Sequence, residues 1–465
     1  MPRTLILDTL SLIGQTVTLR GWVDSKRDHG KVTFIDLRDR SGKIQAVGIQ
    51  GKLSELSTES VVELTGPINA RNEKSINPNL PTGSIEIFVE EYKVLNKAKE
   101  LPILVEGDGR EVNEEMRLKY RYLDLRRERM QKIVRLRSKF YQALRHELDK
   151  KDFTEVETPM LTKSTKEGAR DFIVPSRFNP GKFYALPQSP QQYKQLLMTA
   201  GVENYYQFAR CIRDEDLRAD RGFEFTQLDL EMSFVSQEEL MVHVEEVVKN
   251  AVQAVGGKLQ NKVFPVINYE DAINKYGADK FDLRSDEEKA TGVLAFAWVV
   301  RFPFFKKVDK KDIAEVRDGK SGWTFTHNPF SRPIDESLAD HMAGTNIENI
   351  ITAQYDLVCN GYEAGGGSIR AHEPAVLRQT FKIMGYSDQE IDDSIGHMLE
   401  AFELGTPPHG GIALGLDRLV MLLAGEASLK ETIAFPMNST GHTSIMDAPN
   451  TVSDEQLKEL GIKIA

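Results

Sequence analysis

Ten residues near the middle of the chain constrain its fold more than any others. From Phe225 to Phe234 two kinds of side chain alternate: Leu228, Leu230, Met232 and Phe234 take one set of positions, and Gln227, Asp229, Glu231 and Ser233 the other. Successive side chains of an extended strand point to opposite faces of its sheet, so this spacing predicts a strand with one apolar and one acidic face. An acidic face inside a large domain must be solvated or paired with a ligand or cation, because an isolated buried charge is too costly. Tyr205–Ile212 reads as a partner strand, and the connection Arg213-Asp214-Glu215-Asp216-Leu217-Arg218-Ala219-Asp220-Arg221 holds seven charges in nine residues. Alone, that loop would be a solvated hairpin tip. Joined to an acidic floor, with Arg213 at its base, it suits a substrate carrying both an ammonium and anionic groups.

The rest of the 465 residues organise around this centre. Residues 16–95 read as short strands: Gln15–Val23, Val32–Arg38, Lys43–Val47, Val61–Leu64 and Ser84–Val89, separated by turns at Asp28-His29-Gly30, Ser41-Gly42, Gly66-Pro67 and Pro78–Gly83. Five strands in so short a stretch predict a small barrel such as an OB-fold, with a small sandwich as the alternative. A linker starts at Leu101-Pro102-Ile103, and Arg117–Arg129 is densely basic, either a solvated helix or a hinge touching phosphates. Ile133, Leu136, Phe140, Leu144 and Leu148 mark one face of a long helix, followed by a strand-like Phe153–Glu157 that ends at Thr158-Pro159. Ser236-Gln237-Glu238-Glu239 is a capping box opening a helix to Ala254. Residues 267–330 show no clear period. Ile350–Glu363 and Gly365–Ile369 resemble strands, Pro374–Met384 and Asp388–Leu404 helices, and Gly410–Leu416 a strand feeding a helix at Asp417. Strands outnumber the helices between them, so the sheet is expected to be largely antiparallel within an α+β domain.

Charge and composition exclude several classes. The net charge of -10 argues against coating DNA, although residues 1–100 carry +1 and residues 20–43 carry +3, a weak footprint compatible with a local nucleic-acid site. No apolar run is long enough to span a membrane, and the N-terminus has no secretory pattern, which points to a cytoplasmic protein. Two cysteines, Cys211 and Cys359, cannot build a disulfide framework or an all-cysteine zinc site. Gly319-Lys320-Ser321 lacks the preceding glycine of a phosphate loop, because Ala314 stands there.

Two further clusters share the logic of the first. Asp356 and Glu363 could hold Mg²⁺ between phosphates with oxygen ligands, the run Gly365-Gly366-Gly367 would allow close backbone approach, and Arg370 offers a bidentate fork for a carboxylate. Gly415-Leu416-Asp417-Arg418 opens a helix with an arginine in its first turn, a combination that favours phosphate.

With these residues in view, the sequence resembles the class II aminoacyl-tRNA synthetases in their bacterial aspartyl branch. Counterparts of all three signature motifs are present: Arg137–Pro159, Phe208–Phe234 and Gly411–Leu423. Glu167-Gly168-Ala169-Arg170-Asp171, Ala185–Gln191 and Gly405-Thr406-Pro407-Pro408-His409 are typical of the branch. The resemblance implies an OB-fold anticodon-binding domain over 1–104, a hinge over 105–130 that meets the tRNA, and a class II catalytic domain over 131–465 built on an antiparallel sheet flanked by helices. It further implies a homodimer, formed through the first motif. The implied ligase reaction joins L-aspartate and ATP into aspartyl-adenylate, then moves the aspartyl group to the 3′ end of tRNA(Asp) and, in some members, tRNA(Asn).

Roles follow residue by residue from the resemblance. Arg213, Glu215 and Arg418 would be catalytic, with Arg213 bridging the amino-acid carboxylate and the α-phosphate. ATP would meet Arg213, Asp214, Glu215, Phe225, Glu363, Gly415, Leu416, Asp417 and Arg418. Aspartate would meet Glu167, Ser189, Gln191, Lys194, Arg213, Asp229, His327 and Arg370. Asp356 and Glu363 would bind Mg²⁺, while Arg27, Phe34 and Gln45 would read the anticodon. Lys194 favours aspartate over asparagine, since an amide would leave buried cations underpaired.

Three features depart from the pattern. The usual insertion domain is reduced to a short segment near 285–297, Asn328 replaces the second histidine of a His-His-Pro-Phe run, and Gly222 replaces a common glutamine. A non-catalytic RNA-binding relative and an asparagine synthetase on the same scaffold are the competing readings. The retained charge set opposes the first, and the OB-like domain opposes the second.

Overall fold

The computed structural model describes residues 3–49, 51–165, 167–311 and 313–464. Met1 and Pro2, part of the N-terminal stretch without a secretory pattern, lie outside them. The chain divides into two compact units, residues 1–104 and 105–465.

The first unit is a barrel of β1 (Thr16–Asp28), β2 (Val32–Arg38), β3 (Lys43–Ile49), β4 (Val61–Ala70) and β5 (Ile85–Phe88), in the order β1-β2-β3-β5-β4, and pairing of β4 back onto β1 closes it. Closure removes the sandwich alternative and leaves no open edge in the barrel. Leu19, Val23, Ile35, Leu37, Ile44, Val62, Leu64 and Ile87 fill its interior. A sixth strand, β6 (Glu91–Asn96), lies along β4. Its side chains are mostly exposed, so it has little of the alternation that marks the other five.

The second unit is built on an eight-stranded sheet. Its strands are β7 (Thr154–Glu155), β8 (Asn204–Ile212), β9 (Glu224–Ser233), β10 (Val266–Asn268), β11 (Phe296–Val300), β12 (Gln354–Cys359), β13 (Tyr362–Ile369) and β14 (His409–Gly415). They lie in the order β10-β11-β12-β13-β14-β9-β8-β7, antiparallel throughout except for the parallel pairs at the two edges, β10 with β11 and β7 with β8. The continuous strand expected over 350–363 is instead broken by a turn at Asn360 and Gly361, both at positive φ, which sends the chain back as β13. Residues 267–330, unreadable by period, contain short elements including β11, whose five residues are all buried. A strand buried on both faces shows no alternation.

Six helices matter for the site: α1 (Glu128–Asp149), α2 (Gln191–Thr199), α3 (Gln237–Ala254), α4 (Pro374–Ile383), α5 (Asp388–Glu403) and α6 (Leu416–Ala424). Apolar faces of α1, α3 and α6 pack on one face of the sheet. There Ile133, Phe140, Leu144, Val244, Val248 and Leu419 meet Leu228, Leu230, Met232, Ile412 and Leu414. The apolar half of the β9 alternation is thus consumed, and its acidic half must face the other side. The Ser236 capping box opens α3 as its spacing predicts.

Residues 105–130 depart from expectation. The stretch expected to be a hinge packs into the second unit, and Arg117, Arg121 and Arg127 are buried. Asp124 accepts from Arg121 Nη1 at 2.7 Å and Arg127 Nε at 2.9 Å. Arg117 binds Glu431 through both terminal nitrogens, at 3.0 and 2.7 Å, and Arg129 reaches Glu426 and Glu431 at 2.8 Å each. Burial opposes the Glu431 charge, but Arg117 and Arg129 outweigh it and hold the carboxyl down at about 2. The basic run reads as a phosphate surface because, apart from Asp124 within it, its counter-charges Glu426 and Glu431 lie some three hundred residues away.

Candidate active site

Strand register sets the polar floor. Gln207, Asp229, Ala413, Gly366 and Asp356 are directly opposite one another across β8, β9, β14, β13 and β12. The adjacent row on the same face is Tyr205, Glu231, Gly411, Ser368 and Gln354. Two rows across five strands therefore bring Asp229, Glu231, Ser368, Gln354 and Asp356, which span 140 residues of sequence, onto one surface opposite the helices. Glycine between them is required: a Cβ on Gly411 would stand 1.9 Å from Glu231 Oε2 and 2.2 Å from the Leu230 carbonyl oxygen.

One end of the floor is a buried ion cluster. Lys194, from α2, places Nζ 2.9 Å from Asp229 and 3.0 Å from Glu231. Arg370, just past β13, donates to Glu231 from Nε at 2.9 Å and from Nη2 at 3.3 Å, and to Ser368 Oγ from Nη1 at 2.8 Å. All four charged side chains are at most 2% exposed. Burial pushes the Asp229 carboxyl up to about 6, since Lys194 only partly offsets desolvation. Burial opposes the Glu231 charge as well, but Arg370 and Lys194 both face it and hold its carboxyl down at about 2. The sequence reading treats Lys194 and Arg370 as free cations for a ligand. The structure shows them already balanced by Asp229 and by Glu231, a residue that reading places on the acidic face without a role.

Above this cluster, the first turn of α2 forms a rim. Gln191 Nε2 donates to Gln195 Oε1 at 2.9 Å, and Gln195 Nε2 lies 3.1 Å from His409 Nε2. Ser189 Oγ donates to Glu167 Oε2, and the other oxygen, Oε1, is buried without a hydrogen bond. Burial raises the Glu167 carboxyl despite Ser189 and Arg213. Gln195 has no signal in the sequence, since a glutamine one turn along a helix reads as surface, and His409 stands out there only as the end of the Gly405–His409 run, without a role.

At the open end, Arg213 donates from Nε to the Gln188 carbonyl at 3.1 Å, and its guanidinium carbon lies 5.1 Å from the centre of the Phe225 ring. Arg418 donates to the Glu363 carbonyl and, at 3.2 Å, to the Asp220 carbonyl, joining the first turn of α6 to β13 and the charged loop. Within that loop Glu215 pairs with Arg221 at 3.1 Å and Asp214 with Arg170 at 3.3 Å. Two residues do not face this space. Leu416 is core, and the Asp417 carboxylate is taken by Arg137 and by the Thr226 N–H at 2.7 Å. Gly415 caps the helix, so these three position Arg418.

Asp356 and Glu363 converge on Gly366, whose added Cβ would lie 3.0 Å from Asp356 Oδ1 and 3.6 Å from Glu363 Oε1. Asp356 Oδ1 accepts from Gln354 at 2.8 Å, while Oδ2 is buried without a hydrogen bond and has His327 Nε2 at 3.3 Å. Burial works against the His327 cation, and Asp356 more than offsets it, raising the imidazole. Glu363 is paired with Lys280 at 2.8 Å. Burial opposes its charge too, but Lys280 and Arg418 hold it at about 2. Among the described residues no group of three metal-ligating side chains occurs. The two carboxylates fit a hard cation that takes its remaining oxygens from a phosphate ligand or water. His327 thus stands on the carboxylate side, beside Asp356. Asn328, one of the departures, donates to Gln354 Oε1 at 3.4 Å and accepts from the Phe330 N–H at 3.0 Å. Gly222 borders a cleft of about 410 Å³ behind the charged loop, lined also by Phe225, Arg218, Arg221, Lys430 and Phe435.

On the barrel, Arg27 is opposite Phe34 and Phe34 opposite Val47, all on the outer face. Phe34 is half-buried with the His29 ring edge-on at 5.9 Å, while Arg27 donates to Gln45 at 3.1 Å and Gln45 to Glu86 at 2.8 Å. The three residues expected to meet an anticodon therefore share one surface, with an aromatic face between polar groups.

Comparison with known proteins matches this architecture. Residues 113–439 match the family of class II tRNA synthetases (D, K and N), and residues 17–95 match the OB-fold nucleic acid binding domain. An aspartate–tRNA(Asp/Asn) ligase from Corynebacterium aurimucosum is 39% identical, covering 97% of this chain and 95% of its own. One from Bacillus subtilis is also 39% identical, over 98% and 97%. The first alignment runs over 576 positions against a chain of 465, leaving at least 111 positions without a counterpart here. Among solved structures, the asparaginyl-tRNA synthetase of Pyrococcus horikoshii with asparaginyl-adenylate superposes with a TM-score of 0.72 at 23% identity, over 92% and 95% of the two chains. The aspartyl-tRNA synthetase of Entamoeba histolytica gives 0.72 at 20%, over 94% and 91%.

Proposed function

The chain belongs to the class II tRNA synthetases, and from that premise we propose that it is an aspartate–tRNA ligase. It activates L-aspartate with ATP and transfers the aspartyl group to the 3′ end of tRNA(Asp). The observation that carries this reading is the buried Lys194–Asp229–Glu231–Arg370 cluster at the foot of α2. It offers two cations to a side-chain carboxylate and one carboxylate, Asp229, to an ammonium. The four charges cancel, so a substrate ammonium received at Asp229 adds one positive charge that a side-chain carboxylate beside Lys194 and Arg370 balances and a neutral amide does not, which favours aspartate over asparagine.

In activation, the α-carboxylate of aspartate attacks the α-phosphorus of ATP and diphosphate leaves, so the work is positioning and charge stabilisation. Gln191 and Asp229 hold the ammonium, with Ser189 and Glu167 beside it, and Glu167 lies on the segment that covers the substrate. Arg213, with Nε anchored on a backbone carbonyl, keeps its terminal nitrogens for the α-carboxylate and α-phosphate, where negative charge is redistributed in the transition state. Phe225 offers a ring face to the adenine, Glu215 its edge contacts, and Arg418 a cation for the far phosphates. Asp356 and Glu363 would hold Mg²⁺, which when bound supplies charge neutralisation between phosphate oxygens. Arg27, Phe34 and Gln45 read the anticodon by stacking and hydrogen bonding. Relatives named for both tRNAs support charging of tRNA(Asn) as well.

The protein acts as a homodimer in the cytoplasm. Exposed apolar side chains following α1 and on the hairpin Ile173–Ala185, among them Met160, Leu161, Phe178 and Phe183, support self-association. Among the described residues no helix is long and apolar enough to cross a membrane.

Aspartate-dependent exchange of diphosphate into ATP, followed by charging of separate tRNA(Asp) and tRNA(Asn) transcripts, tests the reading. Exchange with aspartate alone among the amino acids is expected. Exchange with a different amino acid would remove the substrate assignment, and tRNA binding with no ATP consumption would restore the non-catalytic alternative.

A further inference from the structure

An amide accepts through its oxygen and donates through its nitrogen, so Gln191 can receive an ammonium only if its oxygen faces the site. We propose that His409 is a positioning residue that, acting through Gln195, orients the Gln191 amide with Oε1 toward the amino-acid site and Nε2 away from it. The proposal rests on the reading of Gln191 as an ammonium partner given above.

The argument starts from a group with no choice. The Pro407 carbonyl oxygen can only accept, and His409 Nδ1 lies 2.8 Å from it, so Nδ1 carries the hydrogen. The His409 side chain is fully buried, and burial lowers its imidazole to about 4, so at neutral pH the ring is neutral and Nε2 presents a lone pair. Gln195 must then offer N–H to that lone pair across 3.1 Å. Its oxygen is thereby turned to Gln191, which must donate Nε2–H across 2.9 Å. The oxygen of Gln191 is left over, and among the described residues it accepts from none. Each link follows from the one before, beginning at a backbone carbonyl that cannot flip.

The surroundings hold His409 in this state. Glu231 on β9 and Arg370 after β13 are the charged groups nearest in influence, and they are committed to each other at 2.9 Å. The His372 ring lies at 6.4 Å and the Phe402 ring of α5 at 6.1 Å, and among the described residues Pro407 is the acceptor that meets Nδ1. A reversed Gln191 amide would set N–H groups against the ammonium and forfeit a charge-assisted bond, a loss of about ten- to a hundredfold in aspartate affinity.

Two measurements on the full-length enzyme test this. Nitrogen NMR of selectively labelled histidines is expected to show one neutral Nδ1–H imidazole that persists between about pH 5 and pH 8. Finding His409 as the Nε2–H tautomer or as imidazolium in that range overturns the proposal. The second is kinetic. In Gln195→Leu nothing accepts from Gln191 Nε2, whereas the carboxylate of Gln195→Glu still does. The KM for aspartate is expected to rise at least about tenfold in Gln195→Leu and to stay within about threefold of wild type in Gln195→Glu, with the KM for ATP unchanged in both. An unchanged aspartate KM in Gln195→Leu, alongside a raised aspartate KM in Gln191→Ala, overturns the relay and keeps the ammonium reading. An unchanged aspartate KM in Gln191→Ala overturns both. If either Gln195 variant fails to fold, the tautomer measurement on the wild type still decides.

Discussion

At the Lys194 end of the floor every charge has a counter-charge within about 3 Å. Each end keeps a carboxylate oxygen buried without a hydrogen bond, Asp229 Oδ1 at the first and Asp356 Oδ2 at the second, but at the Asp356 end Glu363 is held by a lysine that is 42% exposed. The first end is assembled before any ligand arrives: α2, β9 and the end of β13 each supply one or two of the four ions. Its geometry is set by the fold, as selectivity between two similar side chains requires, because binding energy then depends on matching a fixed array. The second end has a partly exposed, replaceable cation, which suits ligands that bring their own charge. Both lie on the same two sheet rows, so the difference comes from what flanks the strands, a packed helix on one side and loops on the other.

The largest predicted effect breaks the paired end. Arg370→Ala leaves Glu231 buried with half its counter-charge, and loss of one partner of a buried pair costs about 3–5 kcal/mol. Aspartate-dependent kcat/KM should fall by about 10³-fold in diphosphate exchange, with partial recovery in Arg370→Lys. A variant that loses less than tenfold would show that the cluster is not where the side-chain carboxylate binds.

Gly411→Ala attacks the same end without removing a charge. The new methyl would collide with the Glu231 carboxylate at 1.9 Å and with backbone at 2.2 Å. Overpacking of this kind costs about 1–3 kcal/mol, read as a lower melting temperature together with a raised aspartate KM. Gly366→Ala, at the open end, meets Asp356 Oδ1 only at 3.0 Å and should be milder in stability.

Much of this arrangement was legible in the residues, and what was not has identifiable causes. The alternation on β9 disclosed the acidic face, because one side of the sheet is buried by helices. The barrel strands were legible for the same reason. The Arg117–Arg129 network was not, because a buried arginine and a solvated one share a local sequence, and the distant Glu426 and Glu431 complete the pairing that Asp124 begins. Lys280 and Gln195 escaped notice because each depends on a single long-range partner. Asp417 was drawn into the phosphate site by its neighbours, when its carboxylate in fact joins α6 to α1 and β9.

pH separates the ends more gently. The folded-state carboxyl of Asp229, at about 6, lies above its ordinary value, so the folded chain takes up a proton there that the unfolded chain does not. By linkage this group's contribution to stability falls as pH rises through the interval from about 4 to about 6. Glu231 has the opposite sign: at about 2 it stabilises the fold above its ordinary range, and that contribution is lost on acidification. If Asp229 receives the substrate ammonium as proposed, it must be charged to do so, and aspartate kcat/KM should drop about tenfold per pH unit below 6. Glu363, at about 2, should show no such step for ATP in that range.

The smallest effect tests the replaceable cation. Lys280 sits 2.8 Å from Glu363, yet both side chains are partly exposed, so the pair contributes no more than about 1 kcal/mol. If Lys280 only occupies the carboxylate until a metal–phosphate ligand arrives, Lys280→Ala removes a competitor. The Mg²⁺ concentration for half-maximal exchange should then fall about two- to fivefold, with aspartate KM and melting temperature unchanged. If Lys280 instead moves onto a phosphate when ATP binds, the same variant should raise the KM for ATP, and the open end would then have to be redrawn as a site whose cation is part of the recognition.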